Sequence, residues 1–455
     1  MHTLTKTAPL KPLWPSQMGL VFKMAMPLLL VSLLYILIQF SNTYALGHSS
    51  FRALYLISLY IPVSFFLMAI SDSVSLTNQV LVAKKVGENK AQETLQVTAN
   101  LSLVGVALFL LLAGISYLGS AKLGAFFSVR PESAGRFASF VTLMFLTQAL
   151  MLPGMLLDSA IRGLGKVNIA FLLLLFHTAL YISLLAVFVS RYQLEERAIV
   201  YASALCAVVL LMTSTFALYR LRAFSFPSSI VRFSPQTIVF LRWVGLPIFL
   251  SYLLIFTSTF FYNHIVAPFG EVAVAGFGIA YRIHTLVILP ALALGEGISI
   301  LINQNLGARR FERAYETLQG GLWGCIFLYA AIAAGMYFFN DPIVGLFTEN
   351  PEIREQAVRF LSTISFSYLW LGVLLTLLIV LQQTDNGFRA FLLNLFYFAL
   401  IVVVGAVLTS RFHSLVWFYR TFAACNTMGL VAIFMELRRQ RSKYQALISG
   451  LGSNS

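Results

Sequence analysis

Ten stretches of at least 19 residues without a single Asp, Glu, Lys or Arg govern what this chain can become: 24–51, 53–71, 94–121, 137–157, 167–190, 198–219, 243–270, 317–340, 360–384 and 390–410. A helix needs about 20 apolar residues to cross a bilayer, and lipid accepts only helices or closed barrels because it offers bare backbone groups no partner. Two further apolar stretches are interrupted, 272–308 by Arg282 and Glu296 and 412–435 by Arg420. Continuous Leu, Ile, Val and Phe excludes barrel strands, which alternate over short segments. The expected fold is all-α and integral to the membrane, with twelve transmembrane helices.

Composition agrees. Only 11% of the 455 residues are charged and 59% are hydrophobic, where a soluble domain carries about 25% charged residues. The formal net charge of +14 would suggest a nucleic-acid partner if it formed a basic face, but the basic residues lie singly or in small groups between apolar runs. With the N-terminus inside, 20 of the 31 Lys and Arg fall on inner loops, 9 on outer ones, and Arg282 and Arg420 within spans. An excess of inner basic residues is what orients a multi-pass protein. Both termini are therefore expected in the cytoplasm, with the chain, a monomer, in the inner (plasma) membrane. The polar start lacks a small-residue cleavage site, so the first run is read as a retained span. Cys206, Cys325 and Cys425 all lie in apolar runs and are read as small core residues rather than disulfide or metal ligands.

The chain repeats itself at 220 residues. Pro15 meets Pro235, Pro27 meets Pro247, Gly87 meets Gly307, Pro131 and Glu132 meet Pro351 and Glu352, and AFLLLLF at 170–176 meets AFLLNLF at 390–396. Leucine matches are cheap here, but three proline matches from 14 prolines are not. Six helices followed by six make parallel repeats related by an axis along the membrane normal, as in two-lobed carriers. The expected division is an N-terminal six-helix lobe at 1–221, a cytoplasmic linker at 222–236, a C-terminal six-helix lobe at 237–440 and a tail at 441–455. Rocking of the two pseudo-twofold-related lobes would open a cavity lined by helices 1, 2, 7 and 8.

An ionisable group in hydrocarbon is costly enough to be a functional suspect. Asp158 has Arg162 at i+4 and reads as an intrahelical pair. Asp72 lies among Ser71, Ser73, Ser75, Thr77 and Asn78, oxygen-bearing neighbours that a proton- or Na⁺-binding carboxylate needs. Glu296 aligns through the repeat with Leu76, one turn beyond Asp72, so each half places one acid at nearly the same depth. Asp72, Glu296 and, as a titratable alternative, His177 are the candidates for ion coupling. Arg282 lies near mid-membrane and must find partners in protein or water. No nucleotide-binding G-x-x-x-x-G-K-[ST] and no H-E-x-x-H spacing occur, which excludes an ATP-driven pump and disfavours a membrane enzyme.

Residues 262–314, YNHIVAPFGEVAVAGFGIAYRIHTLVILPALALGEGISILINQNLGARRFERA, resemble the seventh-to-eighth helix region of the multidrug and toxic compound extrusion (MATE) family. The family pattern there is an asparagine before an "APFG" turn, an "RI" in the next helix and a closing "GQNLGA", matched here by Gln304, Asn305, Leu306, Gly307 and Ala308. MAMP at 24–27 and Ile161-Arg162-Gly163-Leu164-Gly165 are weaker echoes in the first half. The resemblance implies a secondary antiporter without prosthetic cofactor that exports small organic compounds, amphiphilic or cationic, in exchange for H⁺ or Na⁺. A specialised metabolite exporter or a flippase for lipid-linked precursors of the same superfamily is the alternative. Gln39, Asn42, Tyr262, Asn263 and Arg282 are the candidate cavity residues; because members of the family often keep an arginine at the place of Arg282, the resemblance favours for it a structural link across the C-terminal lobe over substrate binding. The sequence departs from the family at Asn42, where many members carry the coupling aspartate, and near Ile255, where others carry a glutamate. Gly87 and Gly307 are expected to take the positive φ that ends a helix.

Overall fold

The computed structural model describes residues 14–47, 51–221, 235–384 and 386–452. The expected linker at 222–236 falls outside them except for its last two residues, as do the first thirteen residues. Among the described residues there are fifteen helices and no strand. They are α1 (Trp14–Gly47), α2 (Phe51–Gly87), α3 (Thr94–Leu118), α4 (Ser120–Phe126), α5 (Pro131–Gly163), α6 (Val167–Ser190), α7 (Arg197–Arg220), α8 (Pro235–Phe240), α9 (Leu246–Val266), α10 (Glu271–Gly307), α11 (Phe311–Gly345), α12 (Pro351–Ile364), α13 (Tyr368–Gln383), α14 (Gly387–Phe412) and α15 (Leu415–Gly452).

A single π-helical turn, Leu241–Gly245, joins α8 to α9, and a 3₁₀ turn, Ser365–Ser367, joins α12 to α13. With the short α4 set aside, these elements make twelve spans. Eleven are long and apolar enough to cross a bilayer. The twelfth, α15, is 38 residues long but diluted by Arg420, Asn426 and Glu436. It runs unbroken into the tail, where Tyr444 is buried against Tyr315 at a ring distance of 5.7 Å. All three cysteines are buried and free.

Helix ends repeat as the sequence does. Pro131 and Pro351 each open a helix, α5 and α12, where the missing N–H costs nothing. The glycines at 87 and 307 do not take the positive φ, because the backbone leaves the helix two residues later. That conformation falls to Asn89 (φ 59°) and Arg309 (φ 55°), themselves 220 apart. In each turn one N–H reaches three residues back and the next reaches five: Asn89 to Val86 and Lys90 to Lys85, Arg309 to Leu306 and Arg310 to Asn305. This is the Schellman arrangement. Gly165 (φ 78°) closes α5 in the same way.

The chain divides into two compact units. One comprises residues 27–264 and 381–402, the other residues 1–26, 265–380 and 403–455. The first is built around α5, which packs on α2, α3 and α7 through a core that includes Phe109, Phe137, Leu152 and Leu156. A Cβ at Gly163 would stand 2.7 Å from the Gln79 carbonyl, so glycine sets how closely α5 approaches α2. Asn78 ties three helices together: its amide donates to the Leu156 carbonyl and to Ser159 Oγ, both at 2.8 Å, and accepts from Thr98 at 3.0 Å. In the connection between α6 and α7, Glu195 and the buried Glu196 are held by Arg136 of α5, the latter at 2.7 Å. In the second unit α10 packs on α11 and α12, and α12 on α15, around a buried aromatic cluster of Phe277, Phe360, Tyr368, Phe418 and Phe422.

Candidate functional site

In the second unit, α10 is enclosed on one side and open on the other. Phe277, Ala280, His284, Val287, Ala291, Leu294 and Ile298 are buried at intervals of three and four. The opposite stripe runs Glu271, Gly278, Arg282, Thr285, Leu289 and Glu296, none of them buried, so every charged residue of the helix lies on one face. Arg282 and Glu296, which interrupt the apolar run in sequence, therefore do not interrupt the helix. Among the described residues Arg282 is exposed and makes no ion pair or hydrogen bond. The expected structural link within the C-terminal lobe is not formed.

The same pattern recurs on α2 in the first unit. Residues 71–90 and 291–310 show the same succession of buried, half-buried and exposed positions, residue for residue. Asp72 and Leu76 are the half-open pair on α2, Leu292 and Glu296 the corresponding pair on α10. Each half thus sets one carboxylate on its open face, one turn apart in register.

The polar neighbours of Asp72 are engaged. Ser71 accepts from Gln148 Nε2 at 2.7 Å, Ser73 donates to the Ile70 carbonyl, Thr77 to the Ser73 carbonyl, and Ser75 accepts from Arg162 Nη2 at 3.3 Å. Arg162 also pairs with Asp158 at 3.4 Å, the intrahelical pair expected from their spacing. Asn42 on α1 accepts a 2.6 Å hydrogen bond from Tyr181 Oη of α6, and Ser203 of α7 also bonds that phenol. Gln39 lies three residues before Asn42 and is exposed. On α9, Tyr262 is buried and Asn263 exposed. His177 is buried between α6 and α7, where its ring bonds the Cys206 backbone and its Nδ1 makes no hydrogen bond. The structure thus groups Asn42 with Tyr181, sets Asp72 on the open face of α2, and packs His177 inside.

Sequence reasoning missed a cluster around the middle of α10. Pro290 has no N–H to give. Next to it the hydroxyl of Tyr329 stands in the helix ladder, accepting from the Ala291 N–H at 3.0 Å and donating to the Val287 carbonyl at 2.7 Å. Thr376 of α13 donates to the Ala291 carbonyl at 3.2 Å. One turn earlier, the buried His284 shares a 3.2 Å hydrogen bond with Tyr368. A proline in the middle of an apolar run was the only available signal.

Comparison with known proteins decides the family. The MatE family profile matches residues 27–187 and again 247–408. The chain belongs to the MATE family. The two matches begin 220 residues apart, the shift that aligns the prolines. The chain is 24% identical to the probable multidrug resistance protein YoeA of Bacillus subtilis over 363 residues, covering 76% of this chain and 77% of that one. It is 23% identical to the multidrug export protein MepA of Staphylococcus aureus over 394 residues, covering 85% and 86%. The bent form of the Vibrio cholerae MATE transporter VcmN superposes with a TM-score of 0.88 over 96% of this chain and all of that one, at 17% identity. The fold is thus the twelve-helix, two-lobe MATE fold, and the chain is a multi-pass membrane transporter.

Proposed function

We propose that this MATE-family chain is a secondary efflux transporter of the inner membrane, with both termini cytoplasmic, that exports an organic compound by alternating access in exchange for H⁺. The open stripe of α10 carries the reading. A helix closed on one side that sets Arg282 near mid-membrane on the other lines water, since lipid would not accept a bare guanidinium there. The duplicated halves, 1–221 and 237–440, are the bodies whose rocking exposes this path in turn. YoeA and MepA carry drug resistance and export in their names, which supports efflux as the direction.

Antiport requires a group whose occupancy is linked to that of the substrate. Asp72 and Glu296, at neighbouring register positions of the two repeats, fill that role. Sodium at Asp72 would need several neighbouring oxygens, and those of Ser71, Ser75 and Asn78 already accept hydrogen bonds from Gln148, Arg162 and Thr98. That favours a proton over Na⁺. Transport in proteoliposomes under separately imposed pH and Na⁺ gradients tests the reading. Export driven by the pH gradient and lost in Asp72→Asn is expected. Wild-type rates in Asp72→Asn and Glu296→Gln, singly and together, would refute the assignment of the coupling residues.

A further inference from the structure

The identity of the exported compound can be narrowed from the charges at mid-membrane. We propose that Arg282 is an anion-recognition point, so that this transporter carries compounds bearing a carboxylate, sulfonate or phosphate group. The proposal rests on the efflux reading above and names its substrate class.

Arg282 lies eleven residues from the start of α10, about 16 Å at 1.5 Å per residue, half-way across a hydrocarbon core of about 30 Å. It is exposed and, among the described residues, has no ion pair and no hydrogen bond. The back of the helix is filled by Phe277, Ala280 and His284, so the guanidinium has only the open stripe to face. The acids on that stripe are too distant to neutralise it: Glu271 lies about 16 Å and Glu296 about 21 Å along the helix axis.

No other charge compensates at this depth among the described residues. Asp158 is paired with Arg162 near the cytoplasmic end of α5. Arg420, five residues into α15, stacks over Trp417 at 5.0 Å. Asn42, standing where many family members carry a carboxylate, is neutral and hydrogen-bonded to Tyr181, and α9 contains no acidic residue. A guanidinium offers five donors in a planar fork that matches carboxylate, sulfonate and phosphate oxygens in pairs, and its desolvation is offset only when such a partner arrives.

Thr285 is exposed on the same stripe, nearly one turn from Arg282, and gives a probe that needs no knowledge of the substrate. In a background lacking Cys206, Cys325 and Cys425, Thr285→Cys is treated with anionic sulfonatoethyl and cationic trimethylammonioethyl methanethiosulfonate. The anionic reagent is expected to be favoured, and Arg282→Gln to lower the anionic-to-cationic rate ratio by about tenfold, on the scale of one unit charge at one helical turn; Arg282→Lys should preserve it. A ratio unchanged by Arg282→Gln, or a thiol that neither reagent reaches, overturns the proposal. In proteoliposomes, wild-type protein should export carboxyfluorescein, and Arg282→Gln should shift preference toward ethidium. Export of ethidium alone by the wild type overturns the anion assignment and leaves the efflux reading standing. Charge-selective labelling with no driven movement of either dye supports the anion point and counts against the efflux reading.

Discussion

The hydroxyl of Tyr329 replaces a rung of the α10 ladder, standing between the Ala291 N–H at 3.0 Å and the Val287 carbonyl at 2.7 Å. A side chain inserted into the i→i−4 ladder beside a proline is a recognised cause of helix bending, and here the inserted group comes from a residue 38 positions away. It divides α10 into an N-terminal half bearing Arg282 and a C-terminal half bearing Glu296. The first repeat has no counterpart: positions 70 and 109, which align with Pro290 and Tyr329, are Ile and Phe.

Tyr329→Phe removes this bridge. The two backbone groups are then left unpaired, at a cost of about 1–3 kcal/mol, or bond to each other as an ordinary rung of the helix. Either outcome predicts a lower melting temperature in detergent together with slower export. Wild-type values of both would show that the bridge carries no mechanical weight. Gly372→Ala should reproduce the stability loss, because its Cβ would run into the Tyr329 ring.

What could be read from the sequence follows from what lipid enforces locally. Twelve apolar stretches, the 220-residue repeat and the Asp158–Arg162 pair depend on residues within one helix or on a pattern copied along the chain. The Tyr329 bridge, the His284–Tyr368 contact and the Tyr181–Asn42 bond join residues 38, 84 and 139 positions apart, and no periodicity announces them. The helices end at Gly87 and Gly307 as expected, but the positive φ of each turn was misplaced for a related reason. Glycine marks a permissive backbone, but the hydrogen bonds of the turn put the positive φ on Asn89 and Arg309 instead. Arg282 and Glu296 looked like interruptions because a sequence scan counts charges without regard to the face they occupy.

Gly163→Ala tests the closest approach of α5 to α2. The added methyl would stand 2.7 Å from the Gln79 carbonyl and 2.9 Å from Val82 Cβ, and neither a backbone oxygen nor a β-branched side chain gives way easily. Overpacking of this kind costs about 1–3 kcal/mol. Thermal unfolding of the purified variant should show that loss. An unchanged midpoint would mean that the two helices separate more freely than their packing indicates.

Orientation is open to a chemical test at the two equivalent turns after α2 and α10. Single cysteines introduced by Glu88→Cys and Arg310→Cys should react with an impermeant maleimide only when the cytoplasmic side is opened, as the 20-to-9 division of basic residues requires. Labelling of either variant from outside intact cells would invert the topology.

The last prediction concerns the neutral residue at the position where many family members have an acid. Asn42 already accepts a 2.6 Å hydrogen bond from Tyr181, which Ser203 also bonds. A carboxylate of the same size accepts that bond more strongly, since charge-assisted bonds are roughly twice as strong as neutral ones. Asn42→Asp should therefore fold normally and add a protonatable group on α1 to the first unit. In the Asp72→Asn background it should restore part of the pH-driven export, because antiport needs a linked carboxylate more than it needs that carboxylate at one fixed register. Recovery would be read as proton-gradient-driven dye efflux in proteoliposomes, with Asn42→Ala in the same background as the control for lost packing. If Asn42→Asp recovers no more than Asn42→Ala while both insert at wild-type levels, the α1 position has no access to the proton pathway, and coupling in this chain is confined to α2 and α10.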